Sequence, residues 1–148
     1  MAKSKIERAL LKVLRIHDMI YQASNGWIGH RVPGAPPNLL LRSVGAKTGA
    51  ARTNTLTYAK DGDKYLIVAS NAGAKRYPAW YHNVKANPDV EINVGPRRFP
   101  VTARIVGPED ADYQRLWQIA DRNNNGRYSA YQQRTSRPIT VIELTPKA

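Results

Sequence analysis

A chain of 148 residues has the length of one compact domain with a single core, burying about two thirds of its unfolded surface. It has no cysteine, which excludes disulfides, thiolate zinc sites and a thiol nucleophile, and no apolar run approaches the roughly 20 residues of a membrane span. A net charge of +12 points to an anionic partner (phosphate, polycarboxylate, nucleic acid or anionic lipid), the bland alternative being a merely solubilising surface.

From Ser4 to about Tyr21, Ile6, Leu10, Val13, Leu14, His17, Ile20 and Tyr21 recur at helical spacing, with Lys5, Arg8, Lys12 and Arg15 opposite. Such a helix suits an anionic membrane surface, and equally suits docking on its own domain with a solvated basic face. Two glycines and three prolines between Gly29 and Pro37 predict a loop. Leu39–Leu41 and the alternating Thr53–Tyr58 read as strands, and Asp61-Gly62-Asp63 is a hairpin turn leading to a strand over Tyr65–Ser70. Pro78 opens a short helix over Ala79–Asn87, closed by Asn87-Pro88. Val90, Ile92 and Val94 alternate, Gly95-Pro96 turns, and Phe99, Val101, Ala103 and Ile105 alternate again, predicting a second hairpin. Pro108-Glu109-Asp110 starts a helix carrying Leu116, Trp117 and Ile119, Asn123–Gly126 breaks it, and Ile139–Leu144 is the last strand.

Hairpins joined by helices predict an α+β fold with a six-stranded antiparallel barrel, residues 1–28 forming a basic amphipathic helix and residues 29–148 the barrel domain. The Lys-rich start lacks the apolar stretch and cleavage site of a signal peptide, so the expected location is the cytoplasm, with peripheral contact at the inner face of the membrane open to the first helix.

His17, His30 and His82 lie far apart with no carboxylates at ligand spacing, so no metal site is expected. Hydrolase, P-loop and dinucleotide motifs are lacking, which favours a bound cofactor as the source of chemistry. In Gly45-Ala46-Lys47-Thr48-Gly49, followed by Arg52, Thr53 and Asn54, a tight turn would expose N–H groups beside two cations, forming an anion pocket; an ordinary polar turn reads the same way. Ala69-Ser70-Asn71-Ala72-Gly73-Ala74 would let a flat ring approach the backbone, and the helix start at Pro78-Ala79-Trp80-Tyr81-His82-Asn83 offers free N–H groups to an anion. Core packing is the competing reading for Trp80 and Tyr81. Tyr128 and Tyr131, three apart, share a helical face that would line an aromatic slot or seal the barrel end.

Together these stretches, over about Leu39–Leu144, resemble the deazaflavin-dependent nitroreductase family, F420-dependent oxidoreductases with a split β-barrel of flavin-reductase type. The specific part is the string Pro78-x-Trp80-Tyr81-x-Asn83-x-x-x-Asn87-Pro88. Ala46 stands where that family usually has Arg, Asn125 where it commonly has Tyr, and Thr57 where some nitroimidazole-reducing members have Tyr.

The resemblance implies a bound coenzyme F420. Lys47, Thr48, Arg52 and Asn54 would face its phosphate and oligoglutamate tail, a polyanion matched to basic side chains. Ala69, Ser70, Asn71 and the helix start with Ala79, Trp80, Tyr81 and Asn83 would hold the deazaflavin and its linker. Thr57, Ser70, Tyr128 and Tyr131 would face a small hydride acceptor, a quinone, enone or nitroaromatic, with Ser70, Tyr128 or Tyr131 hydrogen-bonding the oxygen that gains charge. Competing readings are an FMN-binding split barrel, a non-catalytic F420 carrier and a basic nucleic-acid module; the last is disfavoured because the aromatics are not interleaved with basic residues along one strand face. The sequence gives no oligomeric state.

Overall fold

The computed structural model describes residues 35–147; the helix expected over Ser4–Tyr21, the boundary expected at residue 28 and the start of the Gly29–Pro37 loop lie outside them. Seven antiparallel strands form one sheet: β1 (Asn38–Val44), β2 (Ala51–Thr57), β3 (Ala59–Asp61), β4 (Lys64–Val68), β5 (Asp89–Val94), β6 (Arg97–Val106) and β7 (Val141–Pro146). Helices α1 (Ala79–Ala86), α2 (Tyr113–Asn123) and α3 (Arg127–Gln132) are interleaved with them.

Spatial order across the sheet is β2-β1-β5-β6-β7-β4-β3. Its two edge strands, β2 and β3, are therefore neighbours in the chain, separated by Tyr58 alone. A single residue cannot span a flat sheet of seven strands, so the sheet curls until its edges meet, giving the half-closed barrel of a split-barrel fold. The six strands expected become seven because the strand read as continuous from Thr53 into the Asp61-Gly62 turn changes edge at Tyr58. At that corner Tyr58 N–H donates to Pro37 O (3.1 Å), and the Asn123 side-chain N–H donates to Tyr58 O (2.9 Å). Both hairpins form as expected: Gly62 and Gly95 take φ of +61° and +58°, a region that costs glycine nothing.

The sheet is apolar on both faces. One face packs Leu39, Leu41, Ile67, Ile92, Val101, Ile142 and Leu144 with Trp80, Tyr81 and Val84 of α1. The other packs Leu66, Val68, Val106 and Val141 under Tyr113, Leu116 and Ala120 of α2 and Tyr128 of α3.

On this second face Glu143 of β7 is 4 % exposed. Arg104, its cross-strand partner, donates to it from Nε (3.1 Å), and Lys64 Nζ lies 3.7 Å away. Arg104 extends to Asp110 (2.9 Å) and Asp112 (3.0 Å), and these carboxylates raise its pKa, with Glu143 the largest influence. This network explains why α2 begins at Tyr113 and not at the Pro108-Glu109-Asp110 start: Asp110 is held in a turn by Arg104 and accepts the Asp112 N–H (2.8 Å). The energetics are asymmetric, because Arg104 keeps solvent and two aspartates if Glu143 is lost, whereas Glu143 without Arg104 is a buried carboxylate with one distant lysine. Arg104→Met is expected to destabilise by about 3 kcal/mol and Glu143→Gln by about half of that; equal midpoint shifts in urea unfolding would contradict the asymmetry.

Candidate active site

The turn between β1 and β2 is shaped by its ends. Gly45 N–H donates to Ala50 O (2.7 Å), Gly49 N–H to Gly45 O (2.8 Å), and Gly49 sits at φ +70°. Asn83 of α1, buried, accepts the Ala46 N–H on Oδ1 (2.9 Å) and so fastens turn to helix. Among the described residues the Lys47 and Thr48 N–H groups have no acceptor, and neither Lys47 nor Arg52 has an ion pair. Pro78 caps α1 without a side-chain bond, leaving the first N–H groups of the helix open beside the turn. A cavity of about 370 Å³ lies between them, lined by Gly45, Lys47, Thr48, Arg52, Ala79 and His82, with Ala46 and Asn83 behind.

Past the end of β4 the chain makes a left-handed turn, Asn71, Ala72 and Gly73 taking φ of +44°, +52° and +78°. Only the glycine adopts this region freely, and the alanine pays of order 1 kcal/mol for it. Gly73 is needed on a second count: a Cβ there would stand 2.5 Å from Tyr131 O, so a side chain would push α3 away. Arg137 holds the turn from its other side. Its guanidinium donates to the carbonyls of Ala69 (3.1 Å), Ser70 (2.8 Å) and Ala74 (2.9 Å), and lies 4.5 Å from the centre of the Tyr77 ring. Gln132 locks the Arg137 segment in turn, donating to Arg137 O (2.9 Å) and accepting the Ile139 N–H (2.9 Å).

A second cavity, about 270 Å³, opens between the edge of β2, this turn and α3. Thr55, Leu56 and Thr57 form one wall, Val68, Ser70 and Ala72 the floor, and Asn124, Arg127, Tyr128 and Tyr131 the far wall. Thr57 donates its hydroxyl to Asn38 (3.1 Å); the hydroxyls of Ser70, Tyr128 and Tyr131 have no partner among the described residues. Tyr128 is 6 % exposed and sits edge-on to Tyr131 (6.4 Å, 65°). Burial, reinforced by Tyr131 and Asp121, drives its phenol far above the usual pKa near 10, so it stays protonated and is a hydrogen-bond donor throughout the physiological range.

The residues singled out in the sequence thus divide. Lys47, Thr48, Arg52, Ala79 and Asn83 meet at the first cavity; Thr57, Ser70, Tyr128 and Tyr131 meet at the second. Asn54 is half-buried on β2 and lines neither, Ala69 is buried with its carbonyl on Arg137, and exposed Asn71 donates its amide to Arg76 O (3.0 Å). Trp80 and Tyr81 are buried in the core beneath α1, Tyr81 stacked on Tyr77 (4.1 Å, 13°). His82, Asn124, Arg127 and Arg137 were not singled out. His82 shares the helical face of Ala79 three residues on, a legible spacing; Arg137 carries no local signal, since its acceptors lie more than sixty residues away.

The family model described as F420H(2)-dependent quinone reductase matches residues 13–146. An F420H(2)-dependent quinone reductase of Mycobacterium tuberculosis is 65% identical over 135 residues, 91% of each chain. A solved F420-H2 dependent reductase superposes with a TM-score of 0.65 at 36% identity, over 73% of this chain and 93% of its own. A domain-swapped dimer superposes with a TM-score of 0.67 at 32% identity, over 95% and 99%.

Two measurements check the geometry. Tyr128 binds its proton more tightly folded than unfolded, so its contribution to stability is complete below pH 10 and is lost as pH rises towards the folded pKa; Tyr128→Phe should flatten the fall in unfolding free energy between pH 10 and 11 by up to about 1.4 kcal/mol per pH unit. Identical slopes would refute the buried phenol. Arg137→Met strands the Ala69 and Ala74 carbonyls and leaves Ser70 O with the Gly73 N–H alone; it should cost about 2 kcal/mol while speeding hydrogen exchange at Gly73 and Ala74 ahead of the rest of the chain. Unchanged exchange there would mean the fork does not hold the turn.

Proposed function

The chain belongs to the F420H(2)-dependent quinone reductase family, and from that premise we propose how its two cavities divide the work of an F420-dependent oxidoreductase. The activity is hydride transfer from reduced coenzyme F420 to a quinone. The observation that carries the division of labour is the course of β2: Arg52 at its start lines the cationic cavity and Thr55–Thr57 at its end line the aromatic one. Five residue steps of extended chain carry β2 from Arg52 to Thr57, about 17 Å, a span for an elongated ligand with an anionic tail and a flat head.

Lys47, Thr48 and Arg52, with the open start of α1 at Ala79 and the turn fixed by Asn83, hold the phosphate and oligoglutamate tail. The fit rests on unpaired cations, free N–H groups and a helix start converging on one cavity. Ala69, Ser70 and Ala72 present a small-residue floor to the deazaflavin, held in shape by Arg137. Trp80 and Tyr81 contribute from behind, packing α1 onto the sheet so that Ala79 and Asn83 stay in register. When bound, reduced F420 supplies the hydride. Thr57, Ser70, Tyr128 and Tyr131 orient the acceptor, and the protonated Tyr128 phenol donates a hydrogen bond to the oxygen that gains charge.

Among the described residues no helix is long and apolar enough to cross a membrane. The basic face expected on residues 4–21 supports a cytoplasmic protein in peripheral contact with an anionic membrane, where a lipid-soluble quinone would be met.

Saturable quenching of F420 fluorescence by the protein, not reversed by FMN, is the expected result. Lys47→Ala and Arg52→Ala should each weaken binding about fivefold to tenfold, more at low salt. Tyr128→Phe should leave F420 affinity within twofold and lower kcat/KM for a naphthoquinone about tenfold or more. Binding of FMN in place of F420, or tail variants with undiminished affinity, would overturn the assignment.

A further inference from the structure

Three consecutive asparagines, Asn123-Asn124-Asn125, precede Gly126 between α2 and α3. Two of them have structural work. Asn123 donates its amide to Tyr58 O at the barrel corner (2.9 Å), and Asn125 sits at φ +57°, the left-handed region that asparagine tolerates better than other residues bearing a side chain. Asn124 has no such task. Its backbone is ordinary, φ −101° and ψ 23°, and its main-chain N–H closes α2 on Ala120 O and Asp121 O. Its side chain caps nothing. The residue is nonetheless 6 % exposed and lines the aromatic cavity beside Tyr128 and Ser70, with no hydrogen bond from its amide to any described residue.

A side-chain amide carries two donors and an acceptor; those of Asn124 reach the cavity, and an occupant that shuts them off from water without bonding them would cost of order 1–3 kcal/mol. Polar groups that become buried are nearly always satisfied, so an amide that faces the cavity and bonds to nothing in the fold is matched to what enters the cavity. We infer that Asn124 is an acceptor-binding residue whose amide N–H donates to a carbonyl oxygen of the quinone. This rests on the assignment of that cavity to the acceptor.

The choice of an amide has a chemical logic. The quinone oxygen only accepts hydrogen bonds, whereas after reduction it is a hydroxyl that also donates. Asparagine serves both forms, Nδ2–H to the first and Oδ1 from the second, without a change in its own charge. An aspartate of the same shape would serve only the reduced form and would repel the oxygen as it gains negative charge. Tyr128 offers a single hydroxyl that donates and accepts through one oxygen, whereas the Asn124 amide offers donor and acceptor on separate atoms.

The test compares wild type, Asn124→Ala and Asn124→Asp for F420 binding by fluorescence, thermal unfolding, and steady-state oxidation of reduced F420 by a 1,4-naphthoquinone. The expected result is a quinone KM raised about tenfold or more in both variants, with F420 affinity within twofold and the unfolding midpoint within about 2 °C, the shift of a lost donor to bound ligand. Three results overturn the inference: a quinone KM within twofold of wild type, a parallel loss of F420 affinity, or an Ala defect that Asp restores, since Asp keeps shape without the N–H. Failure of wild type to bind F420 is a separate outcome, removing the cavity assignment and this inference with it.

Discussion

Everything in this fold is constrained by the fact that the two edges of a seven-stranded sheet are joined through one residue. Tyr58 alone lies between the edge strand β2 and the opposite edge strand β3, so the sheet has to curl until the two come together. Its backbone is secured on both sides, by Pro37 before β1 and by Asn123 at the end of α2, while its ring packs edge-on against Tyr65 (5.4 Å, 63°) inside the curl. Closure removes most of the hazard of open edges. It also brings the end of β2 beside the end of β4, its remote neighbour across the sheet, and the start of α3, distant in sequence from both, and together these make the aromatic cavity.

Polar groups in this molecule sort by whether the fold uses them. Glu143 is buried on Arg104; Asp121 accepts both the N–H and the hydroxyl of Ser129 and so starts α3; Arg137 binds the carbonyls of the turn that carries its own strain at Ala72, and Gln132 fixes the segment that holds Arg137. Each of these is committed within the fold. The uncommitted set is different: Lys47, Arg52, Ser70, Tyr128, Tyr131 and Asn124 line the cavities and are satisfied by nothing among the described residues. A rigid frame with its unspent hydrogen-bonding capacity turned inward is the arrangement that binding and orientation of a cofactor require.

Local patterns were legible in the sequence, and long-range ones were not. The turns at Asp61-Gly62 and Gly95-Pro96, the helix opened at Pro78 and the cationic turn at Gly45–Gly49 each depend on a few adjacent residues, and each stands where the pattern put it. The corner at Tyr58 was invisible because β2 and β3 have continuous strand character, and the change of edge is set by closure of the sheet. The start of α2 was misread because Asp110 serves Arg104 and not a helix end. Trp80 and Tyr81 were ambiguous for a physical reason: aromatic residues at a helix start that packs on a sheet satisfy core and cofactor readings alike until the facing side is known, and here their rings enter the core. Arg137 and Asn124 needed coordinates, the one for what it binds and the other for what it does not.

The charge of the chain can now be placed more finely than a bulk value allows. Among the described residues Lys64, Arg98, Arg104, Arg115 and Lys147 are each paired with a carboxylate, so their fields are largely cancelled close to the surface. Lys47 and Arg52, on the turn at the mouth of the first cavity, have no such partner. Lys60, Lys75, Arg76, Lys85, Arg97, Arg122, Arg127 and Arg134 likewise have no carboxylate partner among the described residues; what sets Lys47 and Arg52 apart is their place beside the open end of a helix. That placement selects for a compact anionic group at the end of a larger ligand, and it gives these two basic residues a more specific reading than solubility alone.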